Sequence, residues 1–223
     1  MSYFVPDAAR DLPAAGAQQR LDRRGGNIGN VLQCFQRNYP REFKSIIRRV
    51  TDAIPGLKTI TTEISKDKRL LLRFDEEGYR DPFFQHSMSD GTLKMLAYAV
   101  LLADPQPRPF IGIEEPENGL YVELIEHLAR EFSAHAASTL APTQILVTTH
   151  SPFFVDALSA EQVWRLKKDT AGHTVATRVA DLEHVRALVD EGVPLGAQWY
   201  SHHLDEEPIA APARRRGSPT VRR

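Results

Sequence analysis

The sequence predicts an α/β fold in which parallel core strands are flanked by helices, with antiparallel hairpins beside them. Three observations predict it. Two short apolar runs, residues 110–113 and 145–147, have the length and unbroken apolar character of strands buried on both faces. Between them Leu120, Leu124, Leu128 and Phe132 recur at helical spacing, the crossover that parallel neighbours need. Upstream, Ile60, Thr62 and Ile64 alternate with polar neighbours, as do Leu70, Leu72 and Phe74, and Lys66-Asp67-Lys68 lies between them as the turn of an antiparallel hairpin. A parallel sheet of only two strands would be poorly buried, so further strands are expected from elsewhere.

In chain order, residues 1–27 are rich in Ala, Gly, Arg and Pro without a sustained period and read as an irregular leading segment. Tyr3-Phe4-Val5 would form a short strand if it found a partner. Ile28, Val31, Leu32 and Phe35 make a helical stripe. Pro40 suits the first turn of a second helix carrying Phe43, Ile46, Ile47 and Val50, and Pro55-Gly56 ends it. After the hairpin, Ser89-Asp90-Gly91-Thr92 opens a helix with Leu93, Leu96, Ala97, Val100 and Leu101 in period, which Asp104-Pro105 stops. Residues 152–158 follow the second core strand as a short helix. Val163, Trp164 and Leu166, then Val175 and Val179, predict a second hairpin turning at 169–172, and 182–189 a last helix. No internal repeat is present. The expected division is a lobe of residues 1–86, a core of 87–204 and a basic tail of 205–223; its Pro/Ala/Arg-rich stretch, 208–223, is expected to be disordered.

The 223 residues suffice for a sizeable core, and 42% hydrophobic against 26% charged is the balance of a globular protein. A net charge of -1 gives no overall field toward nucleic acid or membrane, so such contacts need a local patch. A single cysteine, Cys34, rules out an internal disulfide framework and fits a reducing cytoplasm. The first residues lack the pattern of a signal peptide, and the longest apolar stretch, 96–103, is too short to cross a bilayer, so no membrane role is expected.

Three places carry chemistry. The first core strand ends in Glu114-Glu115, followed by Pro116-Glu117-Asn118-Gly119. On a strand the two carboxylates would face opposite ways, but at its end one can hold Mg²⁺ or its waters while the next orients an attacking water. The other reading is two solvated glutamates at a strand-to-loop junction. The second core strand ends in Thr148-Thr149-His150-Ser151-Pro152, where an imidazole can contact a phosphate or simply cap and brace the backbone. Ser151 is then the N-cap of the following helix. At Ser89–Thr92 the free backbone N–H groups and dipole of a helix start suit a phosphate, with Gly91 allowing close approach; a plain capped helix reads the same.

Taken in order, Ser89-Asp90-Gly91-Thr92-Leu93, Ile113-Glu114-Glu115-Pro116-Glu117-Asn118-Gly119-Leu120 and Thr148-Thr149-His150-Ser151-Pro152 resemble the ABC-type ATPase heads, the SMC, RecF and OLD-like group. The resemblance is strongest over residues 85–158 and looser from Tyr3 to about Leu204, where 195–200 resembles a family C-terminal ending. It implies a P-loop NTPase-like fold, ATP and Mg²⁺, and a dimer formed through the nucleotide seam, homo- or heterodimeric. By position it implies that Ser89, Asp90 and Gly91 form the signature that meets the γ-phosphate of ATP on a partner head. Glu114 would be the Walker B acid for Mg²⁺, Glu115 the catalytic glutamate and His150 the switch histidine. Glu117, Asn118 and Gly119 would form the D-loop. Glu114 stands where Asp is usual, and Asp90 puts a negative charge near phosphate, so its carboxylate must be paired or turned away. No Gly-Lys-Ser or Gly-Lys-Thr occurs in the sequence; the glycine cluster 25–30 lacks the lysine. The chain thus matches the C-terminal half of a head, with the phosphate cradle expected on another segment or chain.

Two functions follow from the resemblance: an ATPase-class protein linked to DNA repair or phage defence, with DNA as a possible partner by analogy, or a catalytically incompetent half-head serving as subunit or regulator of a P-loop partner. A third is a tail that binds phosphates through Arg214-Arg215-Arg216 and Arg222-Arg223, against a tail that is merely solvated.

Overall fold

The computed structural model describes residues 2–138 and 143–205. The expected disordered stretch, 208–223, and its arginines lie outside the described residues. The chain divides into two compact units, Met1–Leu158 and Ser159–Arg223.

The first unit holds a parallel sheet of β1 (Ser2–Phe4), β5 (Phe110–Glu114) and β6 (Gln144–Thr148), in the order β1-β5-β6. The short N-terminal strand finds the partner it needs in β5, with Phe4 opposite Ile113. It makes the sheet three-stranded within this chain. On the other side Glu114 pairs with Thr148, so β5 and β6 end level. Helix α4 (Val122–Ala136) supplies the crossover, and α5 (Pro152–Asp156) begins four residues after β6, with Ser151 as its N-cap. An antiparallel sheet, β2 (Leu57–Ile64), β3 (Leu70–Glu76) and β4 (Phe83–Phe84), stands in the same unit with α1 (Ile28–Asn38) and α2 (Pro40–Ala53). The sequence carries no alternation that marks the two-residue β4.

The centre is α3 (Asp90–Leu102). Its periodic face was expected to be buried; in fact every residue from Gly91 to Leu102 is buried except Lys94. A helix apolar all round belongs inside, not on a surface. Tyr98 makes edge-on ring contacts with Phe4 of β1 (5.8 Å) and Phe132 of α4 (5.4 Å), joining three elements at one side chain. Burial pushes its phenol well above the ordinary tyrosine range.

The leading segment, expected to be irregular, is pinned to the antiparallel sheet. Leu70 N donates to Pro13 O (3.0 Å), Ala15 N to Lys68 O (2.9 Å) and the Arg69 guanidinium to Leu12 O (2.7 Å). Buried Gln85 accepts from Leu72 N through its side-chain oxygen (2.7 Å), closing a backbone donor of β3 that no strand reaches.

The second unit holds the predicted hairpin, β7 (Trp164–Lys168) and β8 (Thr174–Arg178), then α6 (Glu183–Asp190) and α7 (Leu195–Tyr200). No helix among the described residues is long and apolar enough to cross a membrane.

Candidate functional site

All three sequence motifs of the first unit meet at the C-terminal end of the parallel sheet. β5 delivers Glu114 as its last residue, exposed. The next residue, Glu115, sits at φ +41°, a left-handed conformation that costs a non-glycine residue about 1–3 kcal/mol. Its N–H donates to Thr148 O (2.9 Å), so the ladder to β6 runs one residue past the strand while the chain turns out. This turn breaks the strict alternation of faces and lets both carboxylates belong to one sheet end. Glu115 Oε1 lies 3.6 Å from His150 Nε2, and Oε2 accepts from Asn118 Nδ2 at 2.7 Å. His150 is highly exposed, as a group that meets a ligand from outside must be.

Gly119 follows with φ +78°, a conformation glycine adopts without strain. Its carbonyl oxygen would lie 3.3 Å from a Cβ placed on Gly91. The close approach that Gly91 permits is therefore to this loop: the start of α3 packs directly on the turn after Glu115. Ser89 caps that helix, accepting from Thr92 N (3.0 Å). Asp90 pairs with the Arg10 guanidinium, which also donates to the carbonyls of Gln85 (3.1 Å), His86 (3.0 Å) and Met88 (2.8 Å). The negative charge at the helix tip is therefore paired. Ser89, Asp90, Asn118 and Gly119 are all exposed; Gly91 is buried.

Two residues of this cluster escape sequence reading. Arg10 is one arginine in a leading segment without pattern, eighty positions from Asp90, and nothing in the sequence marks it. Lys94 does carry a signal: it is the one charge in the apolar run 93–102. Its ammonium donates to Asn118 O. Burial lowers its pKa, opposed by the charges of Asp90, Glu117 and Asp7.

No three His, Cys, Asp or Glu side chains cluster as a metal cage among the described residues. Mg²⁺ does not need one, because it keeps waters and is held by one or two carboxylates together with substrate phosphates. Glu114, exposed at a strand end beside Glu115, fits that mode.

The chain matches solved SMC heads. One structure, from work on the ATP-driven dimerization and DNA-stimulated activation of SMC ATPases, aligns at TM-score 0.53 and 14% identity over 72% of this chain and 97% of that one. The Smc head domain with a coiled coil and joint from Pyrococcus yayanosii aligns at TM-score 0.52 and 16% identity, over 72% of this chain and 30% of that one. At these identities the likeness is one of fold, a mixed α/β architecture like that of the SMC heads. No protein of curated function matches the sequence. Residues 27–156, which span both strand-end motifs and the helix start, match the family described as "AAA domain, putative AbiEii toxin, Type IV TA system". With more than half of its length in that match, the chain belongs to this AAA-domain family, built on the SMC-like ATPase head fold.

Proposed function

We propose that this chain is the C-terminal part of an ATPase head, which supplies the hydrolytic groups of a composite site to a phosphate cradle carried by another stretch of protein. One observation carries the reading: Glu115 and His150, delivered by neighbouring parallel strands, stand 3.6 Å apart beside a helix tip packed on the intervening loop. The Glu115 carboxylate accepts a proton from, and so orients, a water that attacks the γ-phosphorus of ATP, giving ADP and phosphate. His150 donates to a γ-phosphate oxygen. Glu114 would hold Mg²⁺, which when bound would draw charge from the phosphate oxygens. Ser89, Asp90 and Gly91 present the capped helix start, and Asn118 and Gly119 the loop beside it, to ATP on a partner head. That arrangement makes nucleotide-dependent dimerisation part of the proposal.

The sheet supports one attachment point for the cradle. β6 is an edge strand among the described residues, and an edge strand offers unpaired N–H and C=O groups to another strand. A strand added beside β6 would bring its terminal loop to the same end as Glu115 and His150. The family description names a toxin of a type IV toxin–antitoxin system, which favours the defence setting over DNA repair for the coupled process.

The test compares ATP turnover by the purified chain alone and with the protein encoded immediately upstream. Turnover is expected only in the mixture, and Glu115→Gln in this chain is expected to lower it at least about 100-fold while nucleotide-dependent association persists or strengthens. Equal turnover with Glu115→Gln would end the assignment of Glu115.

A further inference from the structure

We infer that Glu117 is the positioning residue of this site, the strut that holds the His150 loop against the loop of Glu115. The inference rests on the ATPase reading for its meaning, and on three observations for its geometry. First, Glu117 Oε1 accepts two hydrogen bonds from across the strand ends, one from Thr149 Oγ1 (2.7 Å) and one from the backbone N–H of His150 (2.7 Å). The same Thr149 Oγ1 accepts from Ser151 N (3.0 Å), so one carboxylate oxygen organises three successive residues ahead of α5. Second, its own loop is fixed from the other side. Leu120 N donates to Glu117 O (2.9 Å), the Lys94 ammonium donates to Asn118 O, and Gly91 packs on Gly119 O. Glu117 therefore ties a loop braced by α3 to the loop between β6 and α5. Third, Oε2 is buried and has no hydrogen-bond donor among the described residues. A glutamine there would keep the working acceptor in place.

By the family resemblance Glu117 was one of three consecutive residues at a dimer seam. Its neighbours Asn118 and Gly119 are exposed, whereas Glu117 is half-buried with its carboxylate turned inward. The 3.6 Å separation of His150 and Glu115 is not set by a direct hydrogen bond between them. It is set by where the His150 backbone is held, and the group holding it is Glu117.

The experiment separates reach from charge. Glu117→Gln keeps length and the acceptor oxygen but loses the charge. Glu117→Asp keeps the charge and shortens the side chain by one methylene. The readout is hydrogen exchange of the His150 amide, followed by ¹⁵N NMR on the full chain without nucleotide. Positioning predicts exchange at His150 about tenfold faster or more in Glu117→Asp, where the shortened side chain no longer reaches the amide, and much nearer the unsubstituted rate in Glu117→Gln, which keeps the acceptor in place. The opposite ranking, with Asp protected and Gln exposed, overturns the inference in favour of a charge effect, and equal protection in both variants overturns it as well. Turnover with the upstream protein gives the second arm. Glu117→Asp should lower kcat with little change in KM, and Glu117→Gln should restore it. If Glu115→Gln abolishes turnover while Glu117→Asp retains it in full, the positioning role fails and the ATPase reading stands. If Glu115→Gln keeps full turnover, the ATPase reading fails, and the exchange measurement still decides what Glu117 holds.

Discussion

At the scale of single residues, the cost of this site is concentrated in Glu115. A φ of +41° is tolerated by glycine and disfavoured for a side-chain-bearing residue, yet a glutamate occupies it. Its side chain accepts a hydrogen bond from Asn118 and approaches an exposed imidazole, neither of which repays the strain in an open setting. The conformation turns the chain out of the strand, with the carboxylate 3.6 Å from the His150 imidazole. The strain can be isolated with two substitutions that both delete the carboxylate. Glu115→Gly is expected to be more stable than Glu115→Ala by about 1 kcal/mol in urea denaturation, since only glycine accepts the left-handed backbone freely. Alanine equal to or better than glycine would show that the loop relaxes to negative φ without penalty. The same reasoning explains what the sequence concealed here: two consecutive glutamates are visible in it, but the backbone turn that brings both to one sheet end is not.

At the scale of elements, the start of α3 is fixed by a side chain from outside the sheet it serves. Arg10 donates to the carbonyls of Gln85, His86 and Met88 ahead of the helix as well as to Asp90. The carbonyl bonds organise the approach to Ser89, while the exposed ion pair contributes little. Arg10→Ala is therefore expected to lower stability by about 2 kcal/mol, and Asp90→Asn by less than about 1 kcal/mol, both read from urea midpoints. Comparable losses would put the stabilisation in the charge pair. A second element-level prediction concerns α2 and α4, where Arg49 and Glu131 pair at 3.2 Å close to His135. Burial, then the Arg49 charge, lowers the His135 pKa below its ordinary 6.5, with Glu131 opposing. The folded chain thus binds this proton less tightly than the unfolded chain. The penalty is absent well above pH 6.5 and grows as pH falls through and below that value. Removing the titration with His135→Gln should flatten that limb of the thermal melting curve against pH. An unchanged slope would assign the acid sensitivity to other groups.

At the scale of the whole molecule, most of the first unit is legible in the sequence because its signals are local. Apolar run length marks β5 and β6, helical period marks α3 and α4, and the capping serine and proline mark α5. What escapes is long-range: the pinning of residues 12–15 to β3, the reach of Arg10 to Asp90, and the pairing of β1 with β5 across a hundred intervening residues. The sequence also implies an incomplete sheet, and the β6 edge gives that a physical form. Gln144 N donates to Pro109 O and Thr148 O accepts from Glu115 N, so the even positions of β6 face β5. In a parallel strand the odd positions then turn their N–H and C=O groups outward, which leaves Ile145 and Val147 offering ladder bonds along the open edge. Residues 144–148 carry no charge, no proline and no bulge, and Leu146 is 55% exposed. Such an edge recruits another strand. The isolated chain is expected to associate in a concentration-dependent way, and Leu146→Lys to shift it toward monomer in sedimentation velocity, with stability changed by no more than about 0.5 kcal/mol because the position is already solvated. The same substitution should weaken activation by a strand-donating partner. Association undiminished by a lysine in the middle of this edge would move the contact elsewhere on the molecule, and with it the place where the phosphate cradle joins the sheet.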